Sequence, residues 1–206
     1  MGGMTGRRVG LRERRRRETR QEIRAAALRL AGEHGFDKVT VEMISAEADV
    51  SHRTFFNYFP NKEAAVVQAP PGLLGEDTEA FTAAGPAHPR EVLADLTALL
   101  LRNMVEQPPQ RDEFSATFAL AREHPPVLAA MLASFGTFEQ SLVDIVAART
   151  GERPEDEAPR LIAALAVTAL KTGIESWVAG GPQGQDDSPL PYVERVMALL
   201  RALLGP

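Results

Sequence analysis

Hydrophobic positions recur along this chain at helical spacing. Ile23, Ala26, Ala27, Leu30 and Ala31 fall at i, i+3, i+4, i+7 and i+8, one face of a helix whose pattern begins near Leu11. Gly35 follows where a C-cap would stand. Thr40 has the character of an N-cap for a short helix running through Ala48. Asp49, Val50 and Ser51 form a tight connection, and Ser51 caps a second short helix over 52–59. Pro60 closes it, because proline disfavours helix in the residue before it, and Asn61 caps a further helix through Lys62, Glu63 and Val67. Pro70, Pro71 and Gly72 break that run, and the stretch to Pro89 reads as loop. Beyond it, helical patterns occupy 89–107, 111–123, 125–149, 155–180 and 189–204, the last through Leu204. Pro108-Pro109, Pro125-Pro126, Gly151 with Pro154, and Gly180-Gly181 to Pro189 punctuate them. No segment alternates apolar and polar residues, so the expected fold is all-α, in two domains over 1–68 and 69–206. Residues 1–11, basic and glycine-rich without periodicity, read as disordered.

Composition narrows the chemistry. With 44% hydrophobic residues in 206, the chain can bury a core. It has no cysteine, which excludes disulfides, thiolate metal sites and a cysteine nucleophile. His34, His52, His88 and His124 are scattered and suggest no metal site. No catalytic spacing and no phosphate-cradling glycine motif occurs, so neither an enzyme nor a cofactor is expected. No stretch resembles a signal peptide, and none reads as long and apolar enough to span a membrane, which points to a cytoplasmic protein. The net charge of −5 argues at first against a nucleic-acid partner, but the distribution of charge argues the other way. Residues 1–68 hold 13 Lys and Arg against 9 Asp and Glu, a balance of +4, leaving −9 for the remainder. A basic head on an acidic body can bind DNA through the head alone.

The segment Thr40–Lys62, TVEMISAEADVSHRTFFNYFPNK, carries the functional signal. It reads as two short helices joined by about three residues, the signature of a helix-turn-helix. Val41, Ile44, Ala48, Val50, Phe55 and Phe59 are spaced to form a small core, which leaves Ser51, His52, Arg53, Thr54 and Asn57 outward. The pattern resembles the DNA-binding domain of the tetracycline-repressor (TetR) family. The places of its typical string are taken by Thr40, Ile44-Ser45, Ala48-Asp49-Val50-Ser51, Thr54-Phe55-Phe56, Tyr58-Phe59 and Asn61-Lys62-Glu63. Asp49 stands where a turn glycine is usual, and Asp tolerates the left-handed conformation better than most residues. Phe56 replaces a tyrosine that touches phosphate in relatives, so that role is withheld from it. The resemblance implies phosphate contacts from Thr40, Tyr58 and Lys62. His52, Arg53 and Asn57 are the candidates for base edges, because Arg can bridge guanine O6 and N7 and Asn can bridge adenine N6 and N7. Lys62 as a solvated lysine and Tyr58 as a packing residue are the rival readings. Arg14, Arg15, Arg16 and Arg17, with Arg7, Arg8, Arg12 and Arg20 around them, read either as an arm on DNA or as a solvated tail.

For the body, the resemblance implies a helical domain that binds a small inducer and forms a homodimer through its last two long helices. Leu161, Leu165, Thr168, Thr172 and Trp177, then Val193, Val196, Met197, Leu200, Leu203 and Leu204, recur at suitable spacing. A candidate effector site gathers Leu100, Met104, Phe118, Met131, Phe135, Phe138, Ile174 and Trp177, with Leu96 and Phe114 nearby; ordinary core residues would show the same pattern. The runs at 124–127 and 148–151, with Trp177, resemble a TetR subgroup that responds to acyl-CoA-like ligands. The expectation is therefore a homodimeric repressor released from a palindromic double-stranded operator by a small apolar, acyl-CoA-like effector. The alternatives are a ligand-independent activator or architectural DNA binder, and a helical enzyme with an incidental basic N-terminus.

Overall fold

A computed structural model describes residues 5–68, 70, 73, 75–180 and 187–203, with side chains from Arg14 onward. Pro71, Gly72, Gly181 and Leu204, and the side chains of Arg7, Arg8 and Arg12, lie outside the described residues. Among these residues there are ten α-helices and no strand. They are α1 (Thr5–His34), α2 (Val41–Glu47), α3 (His52–Tyr58), α4 (Lys62–Val66), α5 (Gly75–Ala83), α6 (Pro89–Glu106), α7 (Arg111–Glu123), α8 (Pro125–Thr150), α9 (Glu157–Ala179) and α10 (Leu190–Leu203), with a 3-10 turn at Phe36–Lys38.

Two expectations are corrected here. Residues 5–11 are helical rather than disordered, because α1 starts at Thr5. Arginine is a good helix former, and Arg14 pairs with Glu18 one turn on at 2.9 Å. The stretch expected as loop between Pro70 and Pro89 contains α5, whose Phe81 is buried and covered by the Arg149 guanidinium 4.6 Å from its ring centre. A tertiary contact thus outweighs local glycine and proline.

The chain forms two compact units: Met1–Gln68 with Ser115–Leu132, and Ala69–Phe114 with Ala133–Pro206. Residues 115–132, which the sequence placed with the body, cluster with the head. Thr117 donates its hydroxyl to the Val66 carbonyl at 2.7 Å, and the His124 ring packs on Phe36 with centroids 5.0 Å apart. In the first unit, α1 packs on α2, α4 and the 3-10 turn, and α2 packs on α3. Its core is Ile23, Ala26, Ala27, Leu30, Ile44, Phe55 and Phe59, all buried. Burying each phenylalanine contributes about 1.5–3 kcal/mol, so Phe55→Ala alone would cost about 3–5 kcal/mol.

In the second unit α10 packs on α9 and α6, and α6 packs on α9 and α5. The α9–α10 contact depends on Gly173: a methyl group there would lie 2.6 Å from Val193 Cα. A further correction concerns α9. By length and composition it is apolar enough to cross a membrane, with a mean hydropathy of 1.4 over an 18-residue stretch. Here it serves as a core helix, burying Ile162, Ala166, Leu170, Ile174 and Trp177 within its unit. Two arginines brace this unit from inside. Arg149 bonds Asp95 at 2.5 Å and the Gly85 carbonyl at 3.2 Å. Arg111 forms a fork with the Asp187 carboxylate at 2.6 and 2.5 Å, donates to the Trp177 and Val178 carbonyls, and lies over the Trp177 ring.

Candidate nucleic-acid interface

The helix-turn-helix is built by three side-chain caps. Thr40 Oγ1 accepts from Met43 N at 3.3 Å, Ser51 Oγ from Thr54 N at 3.0 Å, and Asn61 Oδ1 from Ala64 N at 2.8 Å. Each satisfies an amide that a helix start leaves without an intrahelical partner. Between α2 and α3 the chain turns through Asp49, whose φ is +50°. Val50 N bonds the Ser45 carbonyl at 2.9 Å and Asp49 N bonds the Ala46 carbonyl at 3.3 Å. That paired pattern is the glycine-type helix ending, realised here with aspartate in the left-handed position.

The core then fixes which face of α3 is free. Phe55 and Phe59 point in and are buried, whereas Ser51, His52, Arg53 and Asn57 are exposed and Thr54 is half-buried. His52 is positioned from two sides: its Nε2 lies 3.3 Å from Glu42 Oε1, and its ring meets Phe56 edge-on at 4.8 Å. Glu42 is held below the usual carboxylate range by its own backbone amide, by the Thr40 hydroxyl and by His52. From α1, Arg20 reaches the Tyr58 carbonyl at 3.3 Å and stacks 4.5 Å over Phe59. A cation at the last carbonyls of α3 also suits the helix dipole. Desolvation, with Arg16 adding repulsion, lowers the Arg20 value. Burial, with Arg20 beside it, pushes Arg24 down to about 10, which still leaves a cation at neutral pH.

The sequence-derived site residues do not all share one role. His52, Arg53 and Asn57 come together on the exposed face of α3, and Thr40 is exposed one helix earlier. Tyr58 is half-buried. Lys62 is turned partly inward: its ammonium donates to the Phe36 carbonyl at 3.0 Å and the Val39 carbonyl at 2.9 Å, and lies 4.6 Å from the Phe36 ring centre. Two of its three donors are thereby committed within the domain, leaving one for phosphate. Arg14 to Arg17 are exposed on α1, a helical rather than an extended arm. Sequence reasoning did not anticipate the contacts of Glu42 with His52 or of Arg20 with Tyr58 and Phe59. The available signal was a carboxylate in the first turn of α2 and an arginine one turn before the apolar face of α1; neither shows its partner without the fold.

The residues assigned to an effector site fall differently. Leu100 and Met104 on α6, Phe138 on α8, and Ile174 and Trp177 on α9 are buried in the second unit, with Phe135 half-buried. Phe118 and Met131 belong to the first unit. A cleft of about 420 Å³ opens elsewhere, lined by Gly136, Glu139, Gln140, Val143, Pro154, Glu155 and Arg160. The three features behind the acyl-CoA-type resemblance each have a structural role. His124 packs on Phe36, Arg149 braces α5 and α6, and Trp177 donates its ring N–H to Asp187 at 2.9 Å. Trp177 also leaves the expected dimer stripe, for it is fully buried while Leu161 on the same helix is exposed.

The short helix α2, the tight turn at Asp49 and the exposed, side-chain-capped α3 together define a helix-turn-helix protein. The family model of bacterial regulatory proteins of the tetR family matches residues 23–68, and that of the MftR C-terminal domain matches residues 90–204. The chain is 30% identical over 162 residues to the HTH-type transcriptional regulator TcmR of Streptomyces glaucescens, covering 76% of this chain and 71% of TcmR. Among solved structures, a TetR-family regulator from Syntrophomonas wolfei is similar with a TM-score of 0.52 at 16% identity, over 91% of this chain and 95% of that one. The TetR-family repressor FadR of Thermus thermophilus, solved with lauroyl-CoA, is 26% identical with a TM-score of 0.45, over 88% of this chain and 92% of FadR. The chain belongs to the TetR family of bacterial transcriptional regulators and binds DNA through its helix-turn-helix.

Proposed function

We propose that the protein is a cytoplasmic, homodimeric repressor that holds a palindromic operator through two copies of α3. The observation that carries this reading is the exposed row His52, Arg53 and Asn57 on a helix locked from behind by Phe55 and Phe59. Those side chains address base edges. Ser51, Thr54, Thr40 and Tyr58 flank them toward phosphate, with the remaining N–H of Lys62. Arg14 to Arg17 add phosphate contacts along α1. Phosphate contacts set the register while base contacts specify sequence. Dimerisation is supported by apolar side chains left exposed on α9 and α10, Leu161, Leu199 and Leu203. A second copy covering these helices would take those side chains out of water. Two heads on a twofold axis require half-sites about one helical turn apart, roughly 34–36 Å, or a multiple of it.

Release follows when a small apolar molecule enters the helical body near Leu100, Met104 and Ile174 and favours the conformation that spaces the two recognition helices wrongly. Selection from random-sequence DNA by the full chain should recover an inverted repeat. Recovery of no motif, or of an unpaired half-site, would refute the dimeric operator. A screen of fatty acids, acyl thioesters and apolar drugs against that operator tests release.

A further inference from the structure

Phe56 is 47% exposed, although it sits on α3 between Phe55, which is fully buried, and the exposed Asn57. Its ring is not loose. It meets the His52 ring edge-on at 4.8 Å with planes at 70°, and the Phe55 ring at 5.4 Å with planes at 83°. Edge-to-face pairs of this kind are favourable and directional. One brace comes from the domain core and the other from the preceding turn of the same helix. The ring therefore presents a held apolar surface beside His52, with the buried Phe55 ring packed against it.

A single exposed apolar side chain is ordinary on a protein surface; its place on the recognition helix gives this one meaning. A phenyl ring has no donor or acceptor with which to read base hydrogen-bond edges, and none to offer a phosphate. The apolar feature that a base pair displays in the major groove is the C5 methyl of thymine. Resting on the assignment of α3 to the groove, we propose that Phe56 is a specificity-determining residue that packs its ring against a thymine C5 methyl, adjacent to the base pairs reached by His52 and Arg53. The contact discriminates without a hydrogen bond, because cytosine lacks the methyl group at that edge. The brace from His52 means that ordering the ring adds little entropic cost on binding.

The test uses the full chain and a duplex that it selects from random-sequence DNA. Each thymine of that duplex is replaced in turn by deoxyuridine, which removes the methyl and keeps every hydrogen-bonding group. At one thymine per half-site the unaltered protein should lose affinity roughly fourfold, the worth of one buried methyl-sized group. Phe56→Ala should bind the unmodified duplex more weakly and lose nothing further on that replacement. Phe56→Gln keeps the bulk but not the apolar ring, and serves the same purpose if the alanine variant melts early. Equal losses for variant and unaltered protein at every thymine overturn the proposal. So does a uniform loss on all duplexes, which would place the ring on the sugar-phosphate backbone. Failure to select any sequence would instead remove the reading of α3 on which the proposal stands, and would be seen before any uridine is introduced.

Discussion

Asp49 holds a φ of +50°, in the region that side chains other than glycine enter at a cost. The turn between α2 and α3 needs that conformation, because only there can Val50 N and Asp49 N both return to carbonyls of α2. Asp49→Gly should raise stability by about 0.5–1 kcal/mol, and Asp49→Val should lower it by about 1–2 kcal/mol; urea midpoints of the two variants decide this. Lys62 and Arg53 separate in the same way. With its ammonium on the Phe36 and Val39 carbonyls, Lys62 holds the 3-10 turn to the start of α4. Lys62→Ala should cost about 1–3 kcal/mol of folding stability as well as DNA affinity. Arg53 is exposed, so Arg53→Ala should leave the unfolding midpoint in place and cost roughly 1–3 kcal/mol of preference at one base pair per half-site. Melting curves and an operator panel on both variants distinguish the roles, and equal stability losses would contradict them.

Helix boundaries were largely legible, because the residues that stop and start helices act locally. Thr40, Ser51 and Asn61 cap as their side chains suggest, and α6 to α10 lie within a few residues of the patterns read between prolines and glycines. What local reading missed depends on partners distant in sequence. The helix α5 is completed by the guanidinium of Arg149 over Phe81. Gly173 offers another case. In mid-helix it costs about 1 kcal/mol against alanine by propensity, yet its missing side chain lets α9 approach Val193. The contact at 2.6 Å is to backbone, which cannot rotate away, so overpacking should win. Gly173→Ala is expected to destabilise the protein by about 1–3 kcal/mol, despite the gain in helix propensity. A higher melting temperature for this variant would refute the close packing.

For the whole molecule, the ion pair of Arg111 and Asp187 couples residues 76 positions apart and closes over the one tryptophan. The Asp187 carboxyl is held below its ordinary value by its hydrogen bonds to Arg111, then by that to Trp177 and by the Arg111 charge. A depressed carboxylate contributes stability that is fully present above its unfolded value and is lost as pH falls through its folded value. The stability difference between the unaltered protein and Asp187→Asn should therefore be constant from neutral pH down to about 5 and shrink below about 4. Denaturant titrations followed by tryptophan emission measure it, and a difference that persists unchanged in acid would contradict the pairing.

By itself the sequence determined the all-α class, the order of the long helices, the three caps and the family-type motif from Thr40 to Lys62. These rest on neighbours within a few residues: period, proline, glycine and capping hydroxyls. Tertiary structure alone decided that residues 115–132 cluster with the head, that Lys62 turns inward and that Trp177 is clasped by Arg111 and Asp187. These contacts join residues far apart in the chain, and side-chain packing across helices leaves no local mark in the order of residues.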